Sequence, residues 1–327
     1  MRAYQVHRPG GPEILKLREI PKPQAKPGWV LIKVKAFGIN RAEIYKRQSL
    51  PGFELEYPIV LGLECVGLVE DGSDSGLKPG QKVAALVGGL GRFFDGGYAE
   101  YTLAPASNVI PLKTDLPWDV LGAIPESYLT AWHCLVDCLE AKKGESLLVR
   151  AGTSALGMAA IALAKEMGLS VVATTRNQAK VKHLLAQGAD QTIIDSGLIE
   201  PEVKRLYPKG VNRVLELVGT ASLRDSLKFT APFGTVCLAG ILNTDWSLPD
   251  FKPLKEIPST VKLTAYSSRD VLTAANSAQA LQEIVDKIAA GQLKGNLYKV
   301  FPFDQAEAAH RMMEANQAAG KLVVVVD

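Results

Sequence analysis

Cysteine is scarce in this chain, with four residues in 327. They follow no framework spacing, which excludes a disulfide scaffold and points to a reducing, cytoplasmic setting. An excess of one charge is lacking as well. The formal net charge is +3 and no dense basic run occurs, so nucleic acid is not an expected partner. Long hydrophobic runs are missing: the most apolar stretch, Ala155 to Ala164, is about half of what a membrane span needs. The opening "MRAYQVHRPGGPE" has no apolar segment of the secretory kind. No internal repeat or low-complexity segment stands out. What is present is ordinary, 47% hydrophobic and 22% charged residues, and the length favours two domains over one core. These features predict a soluble cytoplasmic protein with no membrane segment.

The first third reads as β-rich. "WVLIKVKA" alternates, with Val30, Ile32, Val34 and Ala36 on one face and Lys33 and Lys35 on the other. "LKPGQKVAAL" is a turn feeding a second strand, and glycines at 88, 89, 91, 96 and 97 bracket a loop before "YAEYTLA". Near Pro117 the pattern changes to short β-branched runs alternating with helical stretches. "SLLVRAG", "SVVATT", "QTIID", "NRVLELVG" and "GTVCLAG" are the strand candidates. Such alternation predicts a doubly wound parallel sheet over residues 119–262. Residues 263–327 hold an amphipathic helix "AANSAQALQEIVDKIAAGQ", then "YKVFPF", a second helix and a closing strand "KLVVVVD". Those strands have no βαβ partners nearby, so they are expected to return to the β-rich domain of residues 1–118.

The first strand–helix junction of the parallel region reads "VRAGTSALG", Val149 to Gly157. A loop that approaches a pyrophosphate needs small residues, so that backbone N–H groups and the positive end of the following helix reach the oxygens. Ala151, Gly152, Thr153, Ser154 and Ala155 meet that need, Leu156 opens the helix, and Gly157 takes the helix-packing position. A serine stands where the central glycine is expected, and its hydroxyl is expected to help hold a phosphate. A second strand ends near Arg176 in "TTRNQAK", with no Asp or Glu between Val171 and Lys180. The acid that would bind both ribose hydroxyls of NAD is therefore missing. Arg176 offers a planar fork for a 2′-phosphate, with Lys180 one turn on and Thr175 beside it. The preferred nucleotide is NADPH.

With these residues in view, the chain resembles the medium-chain dehydrogenase/reductase superfamily, and within it the zinc-independent quinone oxidoreductases. The carrying motifs are "FGINRAEIYKRQ" (37–48), "PIVLGLECVGLVE" (58–70), "LKPGQKVAAL" (77–86), "GGYAEY" (96–101), "YLTAW" (128–132), "RAGTSALG" and "GKLVVVV". Their order and spacing span nearly the whole chain. The resemblance implies a GroES-like catalytic domain joined to a Rossmann-type domain, an α/β architecture, and a homodimer. Where zinc-dependent relatives carry a ligating cysteine and histidine, this chain has Asn40 and Leu63, and no four-cysteine lobe exists. The cluster His133, Cys134 and Cys138 supplies too few ligands for a structural site, so no metal is expected. The resemblance places Asn40 and Tyr45 beside nicotinamide and substrate, with Arg47 a further candidate. It places Thr130 at the nicotinamide end, and Val218, Gly240 and Ile241 along ribose and nicotinamide. Quinone reduction by hydride leaves a delocalised oxyanion, so hydrogen bonds from Tyr45 and Asn40 suffice. The expected function is NADPH-dependent quinone reduction. Reduction of α,β-unsaturated carbonyls is the close alternative, and an NADPH-binding redox sensor or binding module with little turnover is the alternative of another class. Related enoyl-thioester reductases use a tyrosine further along, and none stands near Pro51.

Overall fold

The computed structural model describes residues 1–268 and 276–327. They form two compact units: Met1–Leu129 with Ser268–Gly291 and Leu297–Asp327, and Thr130–Ser267 with Gln292–Asn296.

The second unit holds a parallel sheet of six strands among the described residues. In spatial order these are Gln191–Ile194, Ser170–Thr175, Ser146–Val149, Val211–Glu216, Thr230–Leu238 and Lys262–Ala265. The chain starts in the middle, winds outward to one edge, then crosses to the other side, which is the doubly wound order. Five of these strands coincide with the sequence candidates. Lys262–Ala265 does not; it is a short, half-exposed edge strand whose two polar residues mask any apolar run.

The helix Ala155–Glu166 begins on a Ser154 cap and ends before Gly168, whose φ of +81° a side chain would strain. Ala159, Ala160, Ile161, Ala162 and Ala164 are buried, as expected for a helix pressed onto a sheet. Leu148, Val172, Val214, Leu227, Phe229 and Val236 form the core on the sheet's other strands and flanking helices.

The first unit is built on a mostly antiparallel sheet of seven strands among the described residues. Trp29–Ile39 lies at its centre, flanked by Glu64–Asp71, Tyr101–Pro105 and Lys321–Val325. Lys33 and Lys35 are half-exposed while Val34 and Ala36 are buried, as the alternation predicts. From Phe37 to Ile39 burial is continuous, because Tyr98 stacks on Phe37 at a centroid distance of 4.4 Å. The closing strand pairs Leu322 with Ile39 and Val325 with Ala36, so the C-terminal segment completes the N-terminal sheet. The predicted amphipathic helix forms over Ser277–Ala289, with Ala280, Leu281, Ile284 and Val285 buried on one face. Its predicted first two residues, 274 and 275, lie outside the described residues.

Candidate functional site

In the second unit, the strand Ser146–Val149 runs into the loop through Arg150 and Ala151. Ala151 takes the left-handed region at φ 59°. A Cβ on Gly157 would lie 2.7 Å from Gly152 O and 2.8 Å from Ala151 O, and one on Gly152 would meet Ala173 Cβ and Leu184 Cδ2 at 3.0 Å. The loop thus leaves no room for a side chain at Gly157, which faces backbone, and little at Gly152. Ser154 accepts a hydrogen bond from Gly157 N at 3.0 Å and donates one to Ala151 O at 2.9 Å. The Ser154 hydroxyl, expected to hold a phosphate, is engaged within the loop instead, because it stands at the N-cap. Among the described residues, none accepts the backbone N–H of Thr153, Ala155 or Leu156. Three N–H groups at the positive end of a twelve-residue helix fit a pyrophosphate.

Thr175 ends the second strand and is buried, and its Oγ1 accepts from Asn177 N at 3.2 Å. Asn177 caps the following turn by accepting from Ala179 N. Arg176 is exposed. Burial, then the charge of Arg176, pushes the Lys180 ammonium down, which places two cations near each other. That arrangement is unfavourable without an anion and suits a 2′-phosphate.

Val218 follows the strand Val211–Glu216, and Gly240 and Ile241 follow Thr230–Leu238, at carboxyl ends where ligands of parallel sheets bind. A Cβ on Gly240 would sit 2.3 Å from Leu217 O, so the two turns are in backbone contact. Thr130 is buried in the helix Pro125–His133. Sequence reasoning missed Asn243: its Oδ1 is buried beside Gly219 with no donor among the described residues, while its Nδ2 donates to Thr220 Oγ1 at 3.0 Å. An orphaned acceptor at this end fits a carboxamide. No sequence signal marks it, because its burial depends on the fold of two turns.

Arg150 was also missed. Fully buried, it binds Asp195 through Nε at 2.8 Å and through a second nitrogen at 3.1 Å, and Asp225 at 2.9 Å. It donates further to the carbonyls of Ser222 and Gly197 and to Ser226 Oγ. Burial works against the Asp195 carboxylate, but the hydrogen bonds and charge of Arg150 prevail and hold its pKa below the usual range. Glu216, pushed up by burial, accepts from Val218 N at 2.8 Å and Gly219 N at 3.2 Å. One buried cluster therefore underpins both the loop after Val149 and the turn at Val218.

In the first unit, Asn40 precedes the helix Arg41–Arg47. Its Nδ2 donates to Glu64 Oε1 at 2.9 Å and to Gly38 O at 3.4 Å, and its Oδ1 accepts from Lys321 Nζ at 2.6 Å. Lys321 Nζ also pairs with Glu64 at 2.5 Å, and both side chains are buried. Gly38 makes this possible, since a Cβ there would strike Lys321 Cε at 2.3 Å. A substrate oxygen would have to compete with these partners for the Asn40 amide. Tyr45 is buried with its ring edge-on to Phe53 at 5.3 Å, and burial raises its phenol pKa, so it remains an O–H donor at neutral pH.

The buried Arg47 is held by Gly10 O, His310 Nδ1 and the half-buried Glu314. Because Arg47 can only donate, His310 Nδ1 accepts and the ring proton lies on Nε2, 3.0 Å from Tyr98 OH. Tyr98 in turn donates to Glu43, whose other partners are Asn40 N and Leu63 N.

Two family descriptions match the chain: "Alcohol dehydrogenase GroES-like domain" over residues 26–114 and "Zinc-binding dehydrogenase" over residues 187–324. The quinone oxidoreductases of Homo sapiens and Pongo abelii are each 30% identical to it over 334 residues, covering 100% of this chain and 98% of theirs. Among solved structures, a quinone oxidoreductase of Pseudomonas syringae pv. Tomato DC3000 superposes with a TM-score of 0.89 at 25% identity. A mycobacterial protein complexed with NADPH superposes with a TM-score of 0.88 at 27% identity. Both alignments cover 99% of each chain.

Proposed function

Since the chain belongs to the quinone oxidoreductase family of the medium-chain dehydrogenase/reductase superfamily and is an NADPH-dependent oxidoreductase, we propose that its acceptor is a quinone or a similarly activated conjugated carbonyl. The observation that carries this reading is the residue chemistry at positions 40 and 63. An asparagine amide, a leucine and the Lys321 ammonium stand where a Lewis acid would need ligands. The acceptor must then stabilise its own developing charge, as quinones do.

Bound NADPH supplies a hydride. In the proposed division of work, the N–H groups of Thr153, Ala155 and Leu156 hold the pyrophosphate. Arg176, Lys180 and Thr175 take the 2′-phosphate and its ribose. Thr130, Val218, Gly240 and Ile241 line the nicotinamide end. Tyr45 donates its O–H to the oxyanion forming on the acceptor, and one such donor is worth roughly 2.7–4 kcal/mol in the transition state. Asn40 holds the start of the helix that carries Tyr45. We further propose a homodimer through the edge strand Lys262–Ala265, in a cytoplasmic setting that suits four unpaired cysteines.

Steady-state oxidation of NADPH with 1,4-benzoquinone tests the reading; NADPH binding without turnover would overturn it. The nucleotide half has its own test. Charge-assisted hydrogen bonds are worth roughly 1.5–3 kcal/mol, so Arg176→Ala is expected to weaken NADPH binding by about 10–150-fold. Binding of NADH, which has no 2′-phosphate, is expected to shift by less than about threefold. Tryptophan fluorescence titrations read both. Equal losses for the two nucleotides would remove Arg176 from the 2′-phosphate site.

A further inference from the structure

The residue after Tyr45 is a lysine in a position where a lysine is costly. Lys46 is only 6% exposed, yet among the described residues no hydrogen-bond or ion-pair partner lies on its Nζ. Glu43, three residues back, cannot satisfy it, since its oxygens accept from Asn40 N, Leu63 N and Tyr98 OH. The stem is buried while the Nζ keeps contact with solvent, so the amine is open to an incoming anion.

A second cation faces it. Arg92, in the turn Gly88–Phe94, is close enough for its charge to act on Lys46, and its Nε is buried without a partner among the described residues. Its terminal nitrogen donates to Gly52 O at 2.9 Å, tying this turn to the loop after the helix of Tyr45 and Lys46. Glu54 feels the Arg92 charge, but it is exposed and its carboxylate accepts from Gly52 N at 3.0 Å. Two cationic side chains thus stand beside the loops 48–57 and 87–96.

We propose that Lys46 and Arg92 form a carboxylate subsite, and that the acceptor is a conjugated carbonyl compound bearing a carboxylate. The proposal rests on the reductase reading above. One oxygen of the carboxylate meets the ammonium and the other meets the Arg92 guanidinium. A monoanion fits better than a phosphate dianion, because the carboxylates of Glu43 and Glu126 also act on Lys46 and limit the positive charge. The Lys46 ammonium itself is pushed down to about 8, by burial first, so a bound anion is what restores it.

The experiment compares 4-oxopent-2-enoate with its methyl ester as acceptors, with NADPH saturating, in wild type, Lys46→Met and Lys46→Arg. Wild type is expected to favour the acid at least tenfold in kcat/KM. Lys46→Met brings that ratio near one, and Lys46→Arg restores most of it. In wild type the preference fades as pH rises past about 8, with Glu43 on the same helix, Glu126 and Arg92 as the charged groups facing the amine. Equal handling of acid and ester by wild type, or a ratio untouched in Lys46→Met, overturns the proposal. Calorimetric titration with benzoate separates the two readings. If neither acceptor is reduced but benzoate binds wild type and not Lys46→Met, the subsite stands and the reductase reading falls. If benzoate does not bind wild type and no acid preference is seen, the subsite is overturned.

Discussion

Replacing Arg150 by methionine is expected to destabilise the parallel-sheet unit by about 3–5 kcal/mol, the usual consequence of removing one partner from a buried ion pair. The variant leaves Asp195, Asp225 and Glu216 facing one another, buried and without their common cation. Methionine fills much of the volume, so the loss is electrostatic rather than a cavity. In a unit of this size the melting temperature should fall by roughly 10 °C or more. Because Gly197 O and the loop after Arg150 lose their tether, NADPH should stabilise the variant less than it stabilises wild type. Thermal unfolding with and without nucleotide measures both effects. The deficit should shrink on acidification, when the stranded carboxylates can be neutralised. A melting temperature within about 2 °C of wild type would mean that the cluster is worth far less than its geometry implies.

The second large effect is a pH dependence carried by His310. Burial first, then the adjacent Arg47 guanidinium, lowers this imidazole to about 3. In the unfolded chain a histidine titrates near 6.5. Between these values the unfolded state binds the proton and the folded state does not. Stability is therefore lost as pH falls from about 6.5 toward 3. The slope approaches roughly 1.4 kcal/mol per pH unit, or about 2–3 kcal/mol by pH 4.5. His310→Gln keeps an acceptor for Arg47 and a donor for Tyr98 but cannot titrate. Urea denaturation at pH 7.5 and pH 4.5 should show a smaller acid loss in the variant by that amount. Parallel losses in the two proteins would show that His310 is protonated in the native state.

The amount of this molecule that can be read from its sequence follows from the range of the interactions involved. Alternating strands such as Trp29–Ile39 and the small-residue turn after Val149 leave periodic, local marks, and the fold class follows from them. Lys262–Ala265 leaves none, because an edge strand need not be apolar. Nothing local in "VRAGTSALG" marks Arg150; only the meeting of Asp195, Glu216 and Asp225 from three separate segments shows it to be internal. Asn40 and Arg47 lie in the motif that points to the catalytic unit. Their side chains nevertheless answer to Lys321 and His310, more than 260 residues away in sequence. The unmatched amine of Lys46 is equally invisible without coordinates, since the sequence "YKRQ" places it on an ordinary basic helix end.

Lys321 has one more consequence, for protein engineering. It is a cation built into the closing strand, held between Asn40 and Glu64. Installing cysteine at 40 and histidine at 63 would supply two donors in the manner of the zinc-dependent relatives, yet the ammonium beside residue 40 would still repel a dication. Such a graft needs a third change, at 321, before the first two can act. The direction of the argument can also be reversed: a chain that keeps its own cation here retains the positive charge of this region through chelation or metal starvation.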